Sequence, residues 1–286
     1  METRQSAFSV AKGPASDSVD QDIFDATRRL LVEDLGRREN RAIISAEDEL
    51  RRKIPSAVLN YLSGLGIPLA GATVLDIGAG LGGLSEELVI RGAKVIALEP
   101  GAAWSELARR RVERHGGQFR LIQGAGESIP LPDVSVDLIV SLQVLEHVKE
   151  PNRVLAEAWR ILKPGGYFYL ACENYLAFWE GHYDVPWLPL LPKSIGRIYL
   201  RWLGRSPIFL DEAVTYTTYP GVLMMCRRLG FVRRRDEEIA NALRSKPGAK
   251  WSLLRLLARL TNGRGPIMLE RASRTFHFGI YELFRK

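Results

Sequence analysis

Between residues 73 and 172 short apolar runs alternate with longer amphipathic segments. The runs at 73–76, 94–99, 119–123, 136–141 and 166–172 read as strands, and the segments at 82–91, 102–115 and 151–162 read as helices. Alternation of this kind predicts an α/β chain, a mostly parallel sheet with helices on both faces. Ligands of such sheets bind beyond the carboxyl ends of the strands.

The flanks follow other patterns. Residues 1–18 are small and polar, as in a disordered tail. From Asp20 to Leu65 the spacing turns helical: Ile23, Phe24, Leu30, Leu31 and Leu35, then Ile43, Ile44, Leu50, Ile54, Val58, Leu59 and Leu62 after a charged break. Pro55 begins or kinks the last of these helices. Residues 173–218 break the alternation with a stretch rich in aromatics and proline, too irregular for a strand, followed by a helix near Ser194–Leu203. Beyond it the pattern predicts a helix at Tyr219–Leu229 capped by Gly230, a strand at Phe231–Arg235, a loop over 240–250, a helix at Trp251–Leu260 and a last strand at Thr275–Phe284. The resulting division is a tail at 1–18, a helical cap at 19–66, and one domain at 67–286. The insertion 173–218 sits at a strand's carboxyl end, the natural place for a substrate lid.

The chain is organised around Thr73-Val-Leu-Asp-Ile-Gly-Ala-Gly-Leu-Gly-Gly-Leu84. Four glycines, Gly78, Gly80, Gly82 and Gly83, fall within six residues and allow close backbone approach to a ligand at the start of a helix. Gly78 to Gly83 also fits the dinucleotide fingerprint, a weak match alone. Glu99 ends the second strand 19 residues after Gly80, where an acid meets ribose hydroxyls. Asp76 separates the readings. A carboxylate two residues before the first glycine would repel a pyrophosphate, but it suits a ligand bearing an ammonium or hydroxyls.

These residues resemble motif I of class I S-adenosylmethionine (SAM)-dependent methyltransferases. Glu99, the loop Gln123 to Asp133, Ser135-Val-Asp-Leu-Ile-Val140, Leu145-Glu-His147 and Leu162-Lys-Pro-Gly-Gly166 agree in order and spacing. The resemblance is tight over about residues 70–172 and is nearest to the ubiquinone- and menaquinone-biosynthesis methyltransferases. It implies a Rossmann-like seven-stranded sheet closed by an antiparallel hairpin, with SAM as cofactor. Asp76 would hold the SAM amino group, Gly78, Gly80 and Gly82 would shape the methionine pocket, and Glu99 would accept from the ribose hydroxyls. Gly126, Glu127 and Gln143 complete the implied cofactor contacts. Relatives often carry an acid where Ala125 stands, so here Gly126 offers its backbone amide and Glu127 stands in.

Methyl transfer needs alignment of the acceptor with the methyl group, and an oxygen acceptor must also lose its proton. Of four histidines, His115 and His277 read as structural. His147, after the fourth strand, and His182, in the insertion beside Tyr183 and Asp184, are the candidate bases. Each also has a packing or capping reading. Tyr175, Trp179, Tyr183 and Trp187, with Phe178, would line an apolar acceptor site, or pack the lid on the core.

Composition adds bounds. Two cysteines, Cys172 and Cys226, give no metal-binding spacing and point to a reducing compartment. No metal is expected. The opening residues lack the apolar core of a secretory signal and no apolar run is long enough to span a bilayer, so a cytoplasmic location is expected. The net charge of +7 lies in short clusters, Arg109–Arg111, Arg227–Arg228 and Arg233–Arg235, that read as solvated helix faces rather than a nucleic-acid surface. The expected acceptor is a small or lipid- or glycan-linked molecule, methylated at a hydroxyl oxygen. The alternatives are an RNA or protein methyltransferase and a SAM-binding scaffold without catalysis; an NAD-dependent reductase is disfavoured by Asp76. Peripheral membrane contact through Leu190–Leu203 or Trp251–Leu260 stands open beside core packing.

Overall fold

A computed structural model describes residues 18–36, 39–245, 249–262, 264–277 and 279–286 of the chain. The tail expected at 1–18 lies outside them, apart from Ser18, which begins the first helix. Three helices precede the sheet: α1 (Ser18–Arg29), extended by a π-helical turn at Leu30–Asp34, α2 (Glu39–Leu50) and α3 (Lys53–Gly64). The alternating part follows as β1 (Thr73–Ile77), α4 (Gly83–Ile90), β2 (Lys94–Glu99), α5 (Ala102–Glu113), β3 (Phe119–Gln123), β4 (Val136–Leu142), α6 (Pro151–Ile161) and β5 (Leu162–Glu173). The insertion contains a two-residue ribbon, β6 (Trp179–Glu180) with β7 (Val185–Pro186), then α7 (Lys193–Trp202) and α8 (Ile208–Glu212). The chain closes with α9 (Tyr219–Leu229), β8 (Val232–Arg233), α10 (Arg234–Ser245), α11 (Ala249–Leu260), α12 (Gly265–Arg274) and β9 (Gly279–Arg285).

The seven-stranded sheet has the order β3-β2-β1-β4-β5-β9-β8. Strands β1 to β5 run parallel, and β9 is antiparallel to both β5 and β8. This is the mostly parallel α/β sheet expected, closed by the late hairpin. Because the chain moves outward from β1 to β3 and then returns to β4 on the other side, the order reverses between β1 and β4. Loops leaving these two strands diverge and open a crevice at their carboxyl ends.

Alternate strand residues feed two cores. Leu75, Ile77, Ile139, Phe168 and Leu170 pack with Val154, Leu155 and Ala158 of α6 and Val222 and Cys226 of α9. Val74, Leu138, Val140, Tyr169 and Ala171 pack with Leu59 and Leu62 of α3 and Leu88 of α4. A third core joins the N-terminal helices to the insertion: Leu31, Leu35 and Ala42 meet Tyr175, Tyr183, Trp187, Leu200 and Leu210.

Helix α7 is bound by one face only. Gly196 and Leu200 are buried, and a methyl group on Gly196 would lie 2.8 Å from the Trp187 ring, so glycine lets the helix approach the indole. The opposite face leaves Ile195, Ile198 and Trp202 in solvent, Trp202 at 80% exposure.

The C-terminal region departs from its sequence pattern. The strand expected at Phe231–Arg235 is cut to Val232–Arg233, because α10 begins at Arg234 with Asp236 and Glu237 in its first turn. The loop expected over 240–250 is largely the end of α10 and the start of α11, and residues 246–248 lie outside the described residues. The last strand starts at Gly279, not Thr275, because Thr275 caps the carboxyl end of α12.

Candidate functional site

The glycine turn after β1 is held between two packed elements. Gly78 has φ +73°, and a Cβ there would run into Cγ2 of Val144, in the loop after β4. Gly82 has φ +79°, and a Cβ there would lie 2.9 Å from Cα of Ala108 in α5. Only glycine satisfies both the backbone angle and the space. Around Gly80 nothing lies within 4 Å of the same probe position, so that side of the turn opens on the crevice.

Two carboxylates flank the turn. Asp76 is 1% exposed and accepts a 2.7 Å hydrogen bond from the Ser85 hydroxyl of α4. Burial, with Glu99 and Glu49 nearby, pushes its carboxyl up to about 7 despite that bond. Glu99, at the end of β2, accepts from the amide of Gly80 at 2.9 Å and from that of Gly101 at 2.8 Å, so the chain itself aims this carboxylate.

The next loops tie together. Gly126 packs on Val154 and Ile77, and Glu127 accepts from the Lys149 amide at 3.2 Å, joining the loops after β3 and β4. Gln143, at φ +55°, ends β4 and donates to Glu173 at 3.3 Å. Every cofactor contact implied by the resemblance thus stands at the carboxyl end of β1, β2, β3 or β4.

Residues 75–170 match the model of a methyltransferase domain family. These residues form a class I SAM-dependent methyltransferase domain. Among curated relatives, the ubiquinone biosynthesis O-methyltransferase of Methylobacterium sp. (strain 4-46) is 34% identical over 128 residues, 43% of this chain and 51% of that protein. The chain therefore spans about half the length of the curated relatives it matches. A solved SAM-dependent methyltransferase from Mesorhizobium loti shares the fold at TM-score 0.50 and 18% identity, over 77% of this chain and 93% of that one. A structure from Galdieria sulphuraria does so at TM-score 0.52 and 16% identity, over 94% and 98%.

The methyltransferase domain takes SAM as its cofactor, and the residues present fit it. When bound, SAM supplies a methyl group already activated on a sulfonium. Asp76 is a buried carboxylate at the sheet edge able to hold an ammonium, Glu99 keeps lone pairs beyond its two amide bonds for hydroxyl donors, and the open side of Gly80 admits a ligand beside the backbone.

The loop after β4 and the insertion bring together the two histidines. His147 and His182 approach with their Nε2 atoms 3.3 Å apart. His147 donates from Nδ1 to the Ala213 carbonyl at 2.6 Å, and His182 donates from Nδ1 to the Glu180 carboxylate at 2.8 Å. Burial and the neighbouring His182 push the His147 imidazole down to about 4. Burial acts downward on His182 as well, but the bond and charge of Glu180 outweigh it and leave His182 raised. With both Nδ1–H groups engaged, Nε2 is the free position on each ring, able to accept a proton or ligate. Phe209 of α8 packs against both rings.

Sequence reading passed over the supports of this pair. Glu146, fully buried, accepts from the Glu173 amide at 3.1 Å, and Glu180, 1% exposed, also accepts from the amide of Tyr183 at 2.6 Å. Buried acids two residues from His182 and one from His147 were the available signal. The rings expected to wall the acceptor divide. Trp179 is 41% exposed, whereas Tyr175, Tyr183 and Trp187 are interior to the core shared with the N-terminal helices. Phe209 takes the place beside the histidines instead.

Proposed function

We propose that the protein transfers the SAM methyl group to a hydroxyl oxygen of a small or lipid-linked acceptor. The observation that carries this reading is the histidine pair, brought together at the loop after β4, the strand next to β1, whose carboxyl end bears Asp76. Its geometry suits removal of a hydroxyl proton: Ala213 and Glu180 engage both rings through Nδ1, which leaves the Nε2 atoms as the proton-accepting positions, and part of His147 reaches the surface. The helices at 19–66 act as a cap and the insertion 173–218 as a lid, linked by their common core.

Charge supports a non-nucleic-acid partner. Arginines of two sequence clusters are engaged with acids: Arg110 with Asp22, Arg111 with Glu86 and Glu49, Arg233 with Glu282 and Glu270, and Arg235 with Glu238. An amphiphilic acceptor is supported by α7. Its bare face carries Ile195, Ile198 and Trp202, the same helix carries Arg197 and Arg201, and Leu188, Leu190 and Ile208 elsewhere in the insertion are exposed as well. That combination fits peripheral contact with an anionic bilayer. No helix among the described residues is long and apolar enough to cross a membrane. The free, buried Cys172 and Cys226 agree with a cytoplasmic location.

Methyl transfer by His147→Ala and His182→Ala proteins tests the reading, with SAM binding measured beside it. Retained binding with at least a hundredfold loss of transfer is expected. Full activity in both variants would overturn the role of the pair.

A further inference from the structure

No ligand spacing in the sequence announces a metal, yet the histidine pair has a third neighbour of the right chemistry. Among the described residues, Oε2 of Glu146 has no hydrogen-bond partner, although the side chain is fully buried. A buried carboxylate oxygen left without a donor is costly. A carboxylate oxygen of Glu146 and one ring nitrogen each of His147 and His182 lie within 4.8 Å of one another.

We propose that Glu146, His147 and His182 form a site for one divalent transition-metal ion, zinc by preference, that clamps the insertion to the end of β4. The inference rests on reading this crevice as the place where a hydroxyl is methylated, and it replaces direct proton removal by the two histidines with their ligation of the ion.

The two Nε2 atoms are 3.3 Å apart, the edge of a tetrahedron with metal–nitrogen bonds of about 2.0–2.1 Å. Both Nδ1 atoms are occupied by an oxygen acceptor, which leaves Nε2 as the ligating nitrogen of each ring. Two imidazoles and a carboxylate are the donor set of open catalytic zinc sites, with the fourth position left for a solvent or substrate oxygen. Exposed His147 gives the ion a way in, and the carboxylates of Glu180 and Glu173 add negative charge around His182. An acceptor hydroxyl in the fourth position would release its proton to water. Its oxygen would then form the bond to the methyl carbon as the carbon–sulfur bond breaks and the electron pair stays on sulfur.

The test uses the full chain, stripped with a chelator and titrated with zinc by calorimetry, then with cobalt by visible absorption. The wild type should take up one ion per chain and show the bands of tetrahedral cobalt. Glu146→Gln, His147→Ala and His182→Ala should each bind at least tenfold more weakly. Zinc should also slow proteolysis within 173–218 in the wild type and not in His182→Ala. If Glu146→Gln does not fold, His147→Ala, whose ring is at the surface, carries the comparison. Absence of saturable zinc binding, or binding unchanged in all three variants, would overturn the site. Full-rate methylation by the stripped protein would also overturn it while leaving hydroxyl methylation standing. Zinc held by these residues in a protein that methylates no hydroxyl would support the site and remove the reading beneath it.

Discussion

The guanidinium of Arg111 and the carboxylate of Glu86, both without solvent exposure, meet at 2.7 Å between α5 and α4. Arg111 also reaches Glu49 of α2 at 2.8 Å and the Leu81 carbonyl in the glycine turn at 3.3 Å. Glu86 is bonded in addition by Arg52, Arg114 and His115. One buried cluster therefore fixes the N-terminal helices to the helix that opens at the cofactor.

Breaking that cluster from one side should be costly, because it strands buried charge. Arg111→Met is expected to lose about 3 kcal/mol of stability, read from urea or thermal unfolding. Acid should act through Glu86. Burial disfavours its charge, but Arg111, Arg114 and His115 outweigh burial and hold the carboxyl down at about 2. Its stabilising contribution is thus complete above the unfolded carboxylate range and is lost as pH falls from about 4.5 towards 2. Melting temperature should drop across that interval, and less steeply in Glu86→Gln.

Cofactor affinity should titrate through Asp76. Its carboxyl is raised to about 7, mainly by burial, and an ammonium is held only by the ionised form. SAM affinity measured by calorimetry should rise about twentyfold between roughly pH 5.5 and 7.5, an interval over which the ligand's α-amino group stays largely protonated. Asp76→Asn should bind at least tenfold more weakly at the upper pH and show a flat profile. A wild type that binds equally well at both values would remove Asp76 from this role.

The bare face of α7 predicts lipid binding. Wild-type protein should float with anionic vesicles and much less with neutral ones, and the binding should weaken with salt. Ile198→Ser with Trp202→Ser should abolish flotation without changing the melting temperature, since both side chains stand in solvent. Flotation unchanged by the pair of substitutions would dismiss α7 as the contact.

Much of this molecule is legible in the sequence because its core elements are locally determined. The strand at 94–99, the strand at 119–123 and the helix Tyr219–Leu229 with Gly230 at φ +100° appear where their patterns place them. Helix α12 is not among the elements the sequence pattern predicts. In the fold Pro266 occupies the first turn, where its missing amide costs nothing, and Thr261 accepts from the Gly265 amide. That Asp76, the glycines and Glu99 share one end of the sheet was similarly open to reading, since they lie on neighbouring strand ends. The meeting of the histidines was not. His147 and His182 are 35 residues apart, and only the folded insertion sets Nε2 against Nε2. The same folding turns Tyr175, Tyr183 and Trp187 inward, because large rings first fill the core that the insertion needs for itself.

SAM labelled on its methyl group reports the acceptor of this protein. The protein is incubated with extract of the cells it comes from, and the products are separated into RNA, protein, lipid and small molecules. The account predicts label in the lipid or small-molecule fraction, attached through oxygen, and lost with His182→Ala. Label in RNA or protein, or no label at all from a protein that binds SAM, would contradict it.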